Sequence, residues 1–128
     1  MRDVLDMRYN GQCFLISDRT RDMLQSEGVT GWRTYPIKLY SKKNEEIDGY
    51  NGFTITGRGG KMIKLRENIP YNEDNKYIIW DSNDWDGSDL FRIWPNCVVC
   101  TERVMHLFKN NRVEALYFRP LSSLLSIR

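Results

Sequence analysis

The stretch that decides the fold is residues 13–37, CFLISDRTRDMLQSEGVTGWRTYPI, because the chain contains a second version of it. Residues 97–121, CVVCTERVMHLFKNNRVEALYFRPL, align with the first stretch in register and without a gap. Each copy has the pattern of a short apolar strand, a Ser or Thr cap, a helix of about three turns and a second strand ending at proline. The identical aligned pairs include Cys13 with Cys97, Arg19 with Arg103, Val29 with Val113, and Pro36 with Pro120.

This repeat predicts two similar strand-helix-strand units, at about residues 12–40 and 96–124, with a distinct central segment at 41–95. We assign all three parts to a single domain spanning residues 1–128, which is long enough to bury a sizeable core. In the central segment, residues 53–65 indicate a hairpin turning at Thr56–Gly60, and residues 77–80 and 90–94 indicate short strands. The expected fold is α+β: a mixed, mostly antiparallel sheet that carries two helices.

Local signals define the two helices. Ser17 and Thr101 are placed to cap them, and Gly28 suits the left-handed conformation that commonly follows a helix. The first helix has a narrow apolar stripe, and the second repeats it position for position. The stripes consist of Thr20, Met23 and Leu24, and of Val104, Leu107 and Phe108.

Composition restricts the class of protein. The formal net charge of +2 is too small to indicate binding to nucleic acid or to a membrane surface. No apolar run approaches the roughly 18 residues of a membrane span, and the N-terminus lacks an apolar signal core, so we expect a cytoplasmic protein. The Cys97–Cys100 motif lies in a predicted buried strand, where thiols act as small apolar groups, so we expect no metal site and no cofactor.

The single histidine, His106, lies off the apolar stripe of the second helix, with Glu102 one turn before it. One histidine so placed, with no nucleophile nearby, does not indicate a catalytic triad, and we predict no catalytic residues. An enzyme remains an alternative if a cleft brings His106 or Arg58 together with Glu102, Asp84 or Asp86.

The segment DSNDWDGSD, residues 81–89, is the strongest candidate for a binding site. As a calcium loop it fails, because position 6 is Asp86 instead of glycine and position 12 is Arg92 instead of glutamate. Asp and Gly also make turns, which is the simpler interpretation. The functional interpretation is a contact with a basic protein, in which an exposed tryptophan is ringed by carboxylates. The candidate partner-binding residues are Asp81, Asp84, Trp85, Asp86 and Asp89.

Arg19 and Arg103 break a local rule in both copies. Each lies in the first turn of its helix, where a cation opposes the helix dipole. An unfavourable residue that occurs twice suggests a compensating partner. We predict that at least one of the two guanidinium groups pairs with a carboxylate of residues 81–89.

Four segments together resemble a widespread bacterial family, first catalogued as a domain of unknown function and later grouped with the immunity proteins of polymorphic toxin systems. The resemblance covers about residues 12–122 and is carried by FLISDRTRDMLQSEGVTGWRTYPI, GYNGFTITGRGG, DWDGSDLF and VVCTERVMHLFKNNRVEALYFRPL. It implies a cytoplasmic protein that binds and neutralises a cognate toxin, and it implies no catalytic residues. Family members are longer at the N-terminus, which implies that this chain lacks a segment that they have.

The function expected from the sequence is therefore that of a non-enzymatic immunity protein, with a toxin as its protein partner. Two alternatives stay open. One is the enzyme described above. The other is a weak nucleic-acid-binding module that uses basic and aromatic residues of the central segment. Those residues are Arg58, Lys61, Lys64 and Arg66, with Tyr50 and Phe53.

Overall fold

The computed structural model describes residues 4–7, 13–64, 78–114 and 116–128. The helices in these residues are α1 (Asp18–Ser26) and α2 (Glu102–Asn110). The strands, in chain order, are β1 (Val4–Met7), β2 (Cys13–Ser17), β3 (Trp32–Tyr35), β4 (Leu39–Tyr40), β5 (Glu46–Ile47), β6 (Tyr50–Ile55), β7 (Arg58–Lys64), β8 (Ile78–Trp80), β9 (Leu90–Trp94), β10 (Cys97–Cys100) and β11 (Ser126–Ile127).

The strands form three sheets. A four-stranded sheet has the order β1-β2-β6-β3, a five-stranded sheet has the order β10-β9-β7-β8-β11, and β4 pairs with β5. Two pairings are parallel, β7 with β9 and β8 with β11, and the other described pairings are antiparallel. The prediction of an α+β fold with mostly antiparallel pairing is confirmed, although the strands divide among several sheets instead of forming one.

The predicted hairpin of residues 53–65 is wrong, because β6 and β7 belong to different sheets. After β6, the amides of Thr56 and Gly57 both donate to the carbonyl of Gly31, and the carbonyl of Gly57 accepts from the amide of Arg92. A side chain at position 57 would collide with the carbonyl of Leu90. Glycine therefore lets the chain pass closely from one sheet to the next at this point.

The first unit has the predicted conformation. The hydroxyl of Ser17 accepts from the amide of Thr20 at 3.2 Å, which caps α1 as expected. Thr20 and Leu24 are fully buried on the apolar stripe. The predicted second strand is interrupted at Pro36, so that β3 pairs with β6 while β4 turns away to pair with β5.

The second unit follows the first closely as far as the end of the helix. The amide of Val29 donates to the carbonyl of Leu24 at 3.1 Å, and that of Val113 donates to Phe108 at 2.9 Å, the aligned position. Gly28 has φ +64°, and Arg112, which aligns with it, has φ +52°. Thr101 occupies the capping position, but its hydroxyl donates to Asp89 instead of accepting from the helix.

The units differ after the helix. Residues 114 and 116–119 form no strand, although β3, their counterpart, is a regular strand. The prediction of a second strand in the second unit is therefore wrong for these residues. The physical reason is pairing: β3 is bonded to β6, whereas none of the described strands pairs with residues 116–119.

Two apolar clusters form the core of the part of the chain that the structure describes. The larger one gathers both helices and the four-stranded sheet around Leu24, Val104 and Phe108. The smaller one lies in the five-stranded sheet around Trp80, Phe91 and Ile93. Leu125 joins the second cluster and holds the C-terminal segment against β8.

Candidate protein-binding loop

The acidic loop at residues 81–89 begins with a short 3₁₀ turn, Ser82–Asp84. The carboxylate of Asp81 accepts from the amide of Asn83 at 2.9 Å and caps this turn. The amide and hydroxyl of Ser82 both donate to the carbonyl of Arg128, at 2.9 and 2.8 Å. These bonds attach the start of the loop to the C-terminal segment.

Trp85 is fixed in place with part of its ring in solvent. Its indole nitrogen donates to the carbonyl of Ser88 at 2.9 Å, and its ring centroid lies 5.2 Å from that of Phe91. The side chain is 36% exposed. Because the side chain is already held in one rotamer, little rotamer entropy remains to be lost when a partner contacts the exposed part of the ring.

Asp86 holds the loop closed. Its carboxylate accepts from the hydroxyl and the amide of Ser88, and from the amide of Arg58 on β7 at 2.8 Å. The bond from the Ser88 hydroxyl, with the two amides, keeps the pKa of Asp86 below its usual value even though partial burial opposes this. This carboxylate is thus already used within the protein.

Asp89 is the junction between the two repeat units. Its carboxylate accepts from the amide and hydroxyl of Thr30 after α1, and from the hydroxyl of Thr101 before α2. It also forms an ion pair with Arg103 at 2.7 Å, and only 16% of its side chain is exposed. Burial would raise the pKa of Asp89, but the bonds from Arg103, Thr30 and Thr101 outweigh it and the pKa is lowered.

The Arg103–Asp89 ion pair confirms the prediction made for the repeated arginines. Each of the two arginines also bonds to the end of the other helix, which the sequence did not predict. Arg103 donates to the carbonyl of Glu27 at 2.9 Å, at the end of α1, and Arg19 donates to the aligned carbonyl of Asn111 at 2.7 Å, at the end of α2. The helices therefore lie antiparallel, and each arginine is placed where the partner helix favours a cation.

The five candidate residues separate into two groups. Asp86 and Asp89 accept bonds from Arg58, Thr30 and Thr101, which lie outside the loop. Asp81, Asp84 and Trp85 are exposed, and the carboxylate of Asp81 accepts a bond from within the loop. Gly60 of β7 packs closely below the loop, because a Cβ there would lie 2.6 Å from the Cβ of Asp84. We call Asp81, Asp84 and Trp85 the loop surface. The run of acidic residues around Trp85 identifies the loop from the sequence. The sequence does not reveal the internal bonds of Asp86 and Asp89, because their partners outside the loop belong to other segments.

The residues named for an enzyme meet in two separate pairs: the amide of Arg58 donates to Asp86, and His106 lies beside Glu102. His106 contacts Glu102 at 3.4 Å on an exposed helix face, where the two side chains are 58% and 82% exposed. Among the residues that the structure describes, no group of three or more His, Cys, Asp and Glu side chains is placed to hold a metal ion. Cys97 and Cys100 are free and half-buried, and burial raises the pKa of both thiols.

For nucleic-acid binding, Arg58, Lys61 and Lys64 are exposed on β7, but Phe53 is buried in the larger cluster and cannot stack on a base. Arg66 lies outside the described residues. No helix in the described part of the chain is both long and apolar enough to cross a lipid bilayer.

Comparison of the chain with protein-family models, curated proteins and solved structures gave no match. The interpretation of the loop surface therefore depends on its own geometry and on the sequence resemblance described above.

Proposed function

We propose that this protein is a non-enzymatic immunity protein that acts in the cytoplasm and neutralises a cognate bacterial toxin by covering part of the toxin surface. The observation that carries this proposal is the loop surface. It combines an aromatic ring with two exposed carboxylates on a loop whose start, middle and end are bonded to other parts of the fold.

Preformed loops favour tight binding because less conformational entropy is lost when a partner docks. Here the indole of Trp85 is held by Ser88 and Phe91 before any contact is made. A tryptophan with a charged rim is also the usual composition of a binding hot spot. The loop surface therefore suits a groove or pocket that admits one aromatic ring.

The charges of the loop surface indicate the chemistry of the partner. Asp81 and Asp84 present negative charge beside the ring, so the complementary toxin surface carries lysine or arginine. Complementary charges at the rim act mainly on the association rate and make it sensitive to salt. The identity of the partner as a toxin comes from the sequence resemblance.

The test is co-expression with the toxin domain encoded beside this gene, scored by cell survival and by the dissociation constant of the purified pair. Trp85→Ala is expected to abolish rescue and to weaken binding at least about tenfold, which is about 1.4 kcal/mol. Trp94→Ala is the matched control, because Trp94 is a tryptophan that is 54% exposed and lies outside the loop. Asp84→Asn is expected to slow association and reduce its salt dependence.

Loss of the Trp85–Phe91 contact also has a structural cost of about 1 kcal/mol. Rescue is therefore compared only between variants whose circular dichroism and urea unfolding show a folded protein. Full rescue by a folded variant that carries Trp85→Ala, Asp81→Asn and Asp84→Asn together would show that the loop surface is not the toxin-binding site.

A further inference from the structure

The two repeat units differ in one strand. In the first unit β2 has a neighbour on each side, β1 and β6, and β6 in turn separates β2 from β3. In the second unit β10 has β9 as its strand neighbour within the described residues, and it ends the five-stranded sheet. Residues 116–119, the counterpart of β3, form no strand, and residues 117–119 line one recess together with β10.

Backbone hydrogen bonds show which edge of β10 has no strand beside it among the described residues. The amide of Asp18 donates to Gly49, at the start of β6, and the amide of Thr101 donates to Asp89, at the start of β9. Thr101 aligns with Ser17, the residue before Asp18, and successive residues of a strand direct their amides to opposite edges. β9 therefore corresponds to β1, and the edge of β10 that corresponds to the β6 side has no strand among the described residues.

The same alternation identifies the backbone groups at this edge. Because the amide of Thr101 faces β9, the amides and carbonyls of Val98 and Cys100 face the opposite side. In the first unit the aligned residues, Phe14 and Ile16, lie opposite Phe53 and Asn51 of β6. Val98 and Cys100 thus present the bonding groups of a strand edge that β6 satisfies in the other unit.

The space beside this edge has room for a strand. A recess of about 590 Å³ lies between residues 97–101 and residues 117–121. A second cavity of about 230 Å³ shares part of its lining with this recess and reaches Leu24 and Phe108, and its lining is mostly apolar. Ile16 of β2 is only 2% exposed, whereas the aligned Cys100 is half-buried; Phe14 is half-buried, whereas the aligned Val98 is 43% exposed. We call this recess and cavity the strand slot.

We propose that the strand slot binds an extended segment of a partner protein, which adds to β10 as an antiparallel strand between β10 and residues 116–119. This inference does not depend on the loop surface, which lies on a different part of the chain. Backbone bonds to Val98 and Cys100 supply affinity, and apolar side chains at alternate positions of the segment supply specificity. Phe53 and Ile55 of β6 show the pattern, because both are buried in the equivalent place.

The slot favours a single extended segment over the edge of a folded sheet. It is bordered on both sides, by β10 and by residues 116–119, so its occupant must have both backbone edges free. In a second copy of this chain, β1 has one edge bonded to β2 and cannot meet that condition. A terminal tail or an exposed loop of another protein can meet it.

Amide hydrogen exchange measured by nuclear magnetic resonance tests the proposal. In the protein alone, the amides of Val98 and Cys100 are expected to exchange much faster than those of Phe14 and Ile16. The probe is a synthetic peptide, GYNGFTIT, which reproduces residues 49–56 and hence β6. Adding it up to about 1 mM is expected to slow exchange at Val98 and Cys100 at least about tenfold.

Two altered peptides serve as controls that leave the protein unchanged. Methylation of the backbone nitrogens at the positions of Asn51 and Phe53 removes the donors that would face β10, and replacing the Phe53 position by aspartate places a charge in the apolar cavity. Neither peptide is expected to protect β10. The parent peptide is expected to act equally on the Trp85→Ala variant, so a failure here and a failure of the loop surface are distinguishable.

Three results would overturn the proposal. In the first, Val98 and Cys100 are as protected as Phe14 and Ile16 in the free protein. In the second, their protection rises with protein concentration together with a dimer in sedimentation, which would make a second copy the occupant. In the third, β10 stays unprotected at about 1 mM peptide, the limit of a weak specific interaction.

Discussion

Replacing Asp89 by asparagine tests whether the junction between the repeat units holds the fold together. The substitution keeps the size of the side chain but removes its charge and turns one accepting oxygen into a donor. The amide of Thr30 and the guanidinium of Arg103 both donate to the same oxygen, Oδ2, and the hydroxyl of Thr101 donates to Oδ1. An asparagine can turn its oxygen toward Thr30 and Arg103 and its NH2 group toward the Thr101 hydroxyl, so these bonds are kept in uncharged form while the ion pair is lost.

The expected cost follows from these bonds. A hydrogen bond to a charged group contributes about 1.5–3 kcal/mol, whereas one between neutral groups contributes about 0.5–1.5 kcal/mol. Arg103 is 48% exposed, which reduces the contribution of the ion pair to about 1 kcal/mol. We therefore expect Asp89→Asn to lower the free energy of unfolding by about 1–2 kcal/mol at neutral pH, as measured by urea denaturation.

The pH dependence has a definite sign. Because the pKa of Asp89 is lowered in the folded state, its stabilisation is complete above the unfolded value of about 4 and is lost as the pH falls through the folded value. The difference between wild type and Asp89→Asn should therefore shrink in acid. Asp84→Asn is the control, the same change at an exposed position of the same loop, with an expected effect within about 0.5 kcal/mol. A loss below about 0.5 kcal/mol for Asp89→Asn at neutral pH, or an equal loss at pH of about 3 and 7, would refute this reasoning.

Two further substitutions test the backbone. Arg112 has φ +52° where the first unit has glycine, so Arg112→Gly is expected to stabilise the protein by about 0.5–1 kcal/mol in urea denaturation, and a loss of stability would contradict this. Gly31 has φ +91°, and a side chain there would strike the carbonyl of Leu90, so Gly31→Ala is expected to cost more than about 3 kcal/mol. Gly28→Ala is strained in φ but has open space around it, so it should cost only about 1 kcal/mol when both glycine variants are compared by urea denaturation. Equal losses for Gly28→Ala and Gly31→Ala would show that the collision at position 31 is relieved.

The helices could be predicted because their signals lie within a few residues of one another. The cap at Ser17, the buried stripe through Leu24 and the bend at Gly28 are all local. The pairing of Arg103 with the acidic loop could also be predicted, because an arginine in the first turn of a helix is unfavourable without a partner. Its bond to the end of the other helix could not, since that depends on how the two helices meet.

Strand pairing depended on contacts that the sequence does not display. Residues 53–65 have the spacing of a hairpin. The carbonyl of Gly57 nevertheless accepts from Arg92 of β9, and β7 joins a different sheet from β6. Residues 114–119 have the composition of a strand, but a strand also needs a bonded neighbour. The high density of acidic residues in the loop is visible in the sequence. The hydrogen bonds that Asp86 and Asp89 accept are not, because their partners are remote in sequence or separated by a strand. Those partners are Arg58, Thr30 and Thr101.

The arginine of each helix bonds to the end of the other helix, so the two repeat units stabilise each other reciprocally. Each helix has nine residues, too few to persist alone in water, and each relies on a guanidinium from the other to bond its last carbonyls. Solenoid proteins lengthen by adding repeats at one end. Here a third repeat unit could not make the same contact, because the carbonyls at the ends of both helices already accept from an arginine. A gene fragment that encodes one half is therefore expected to remain unstructured until the complementary half is supplied.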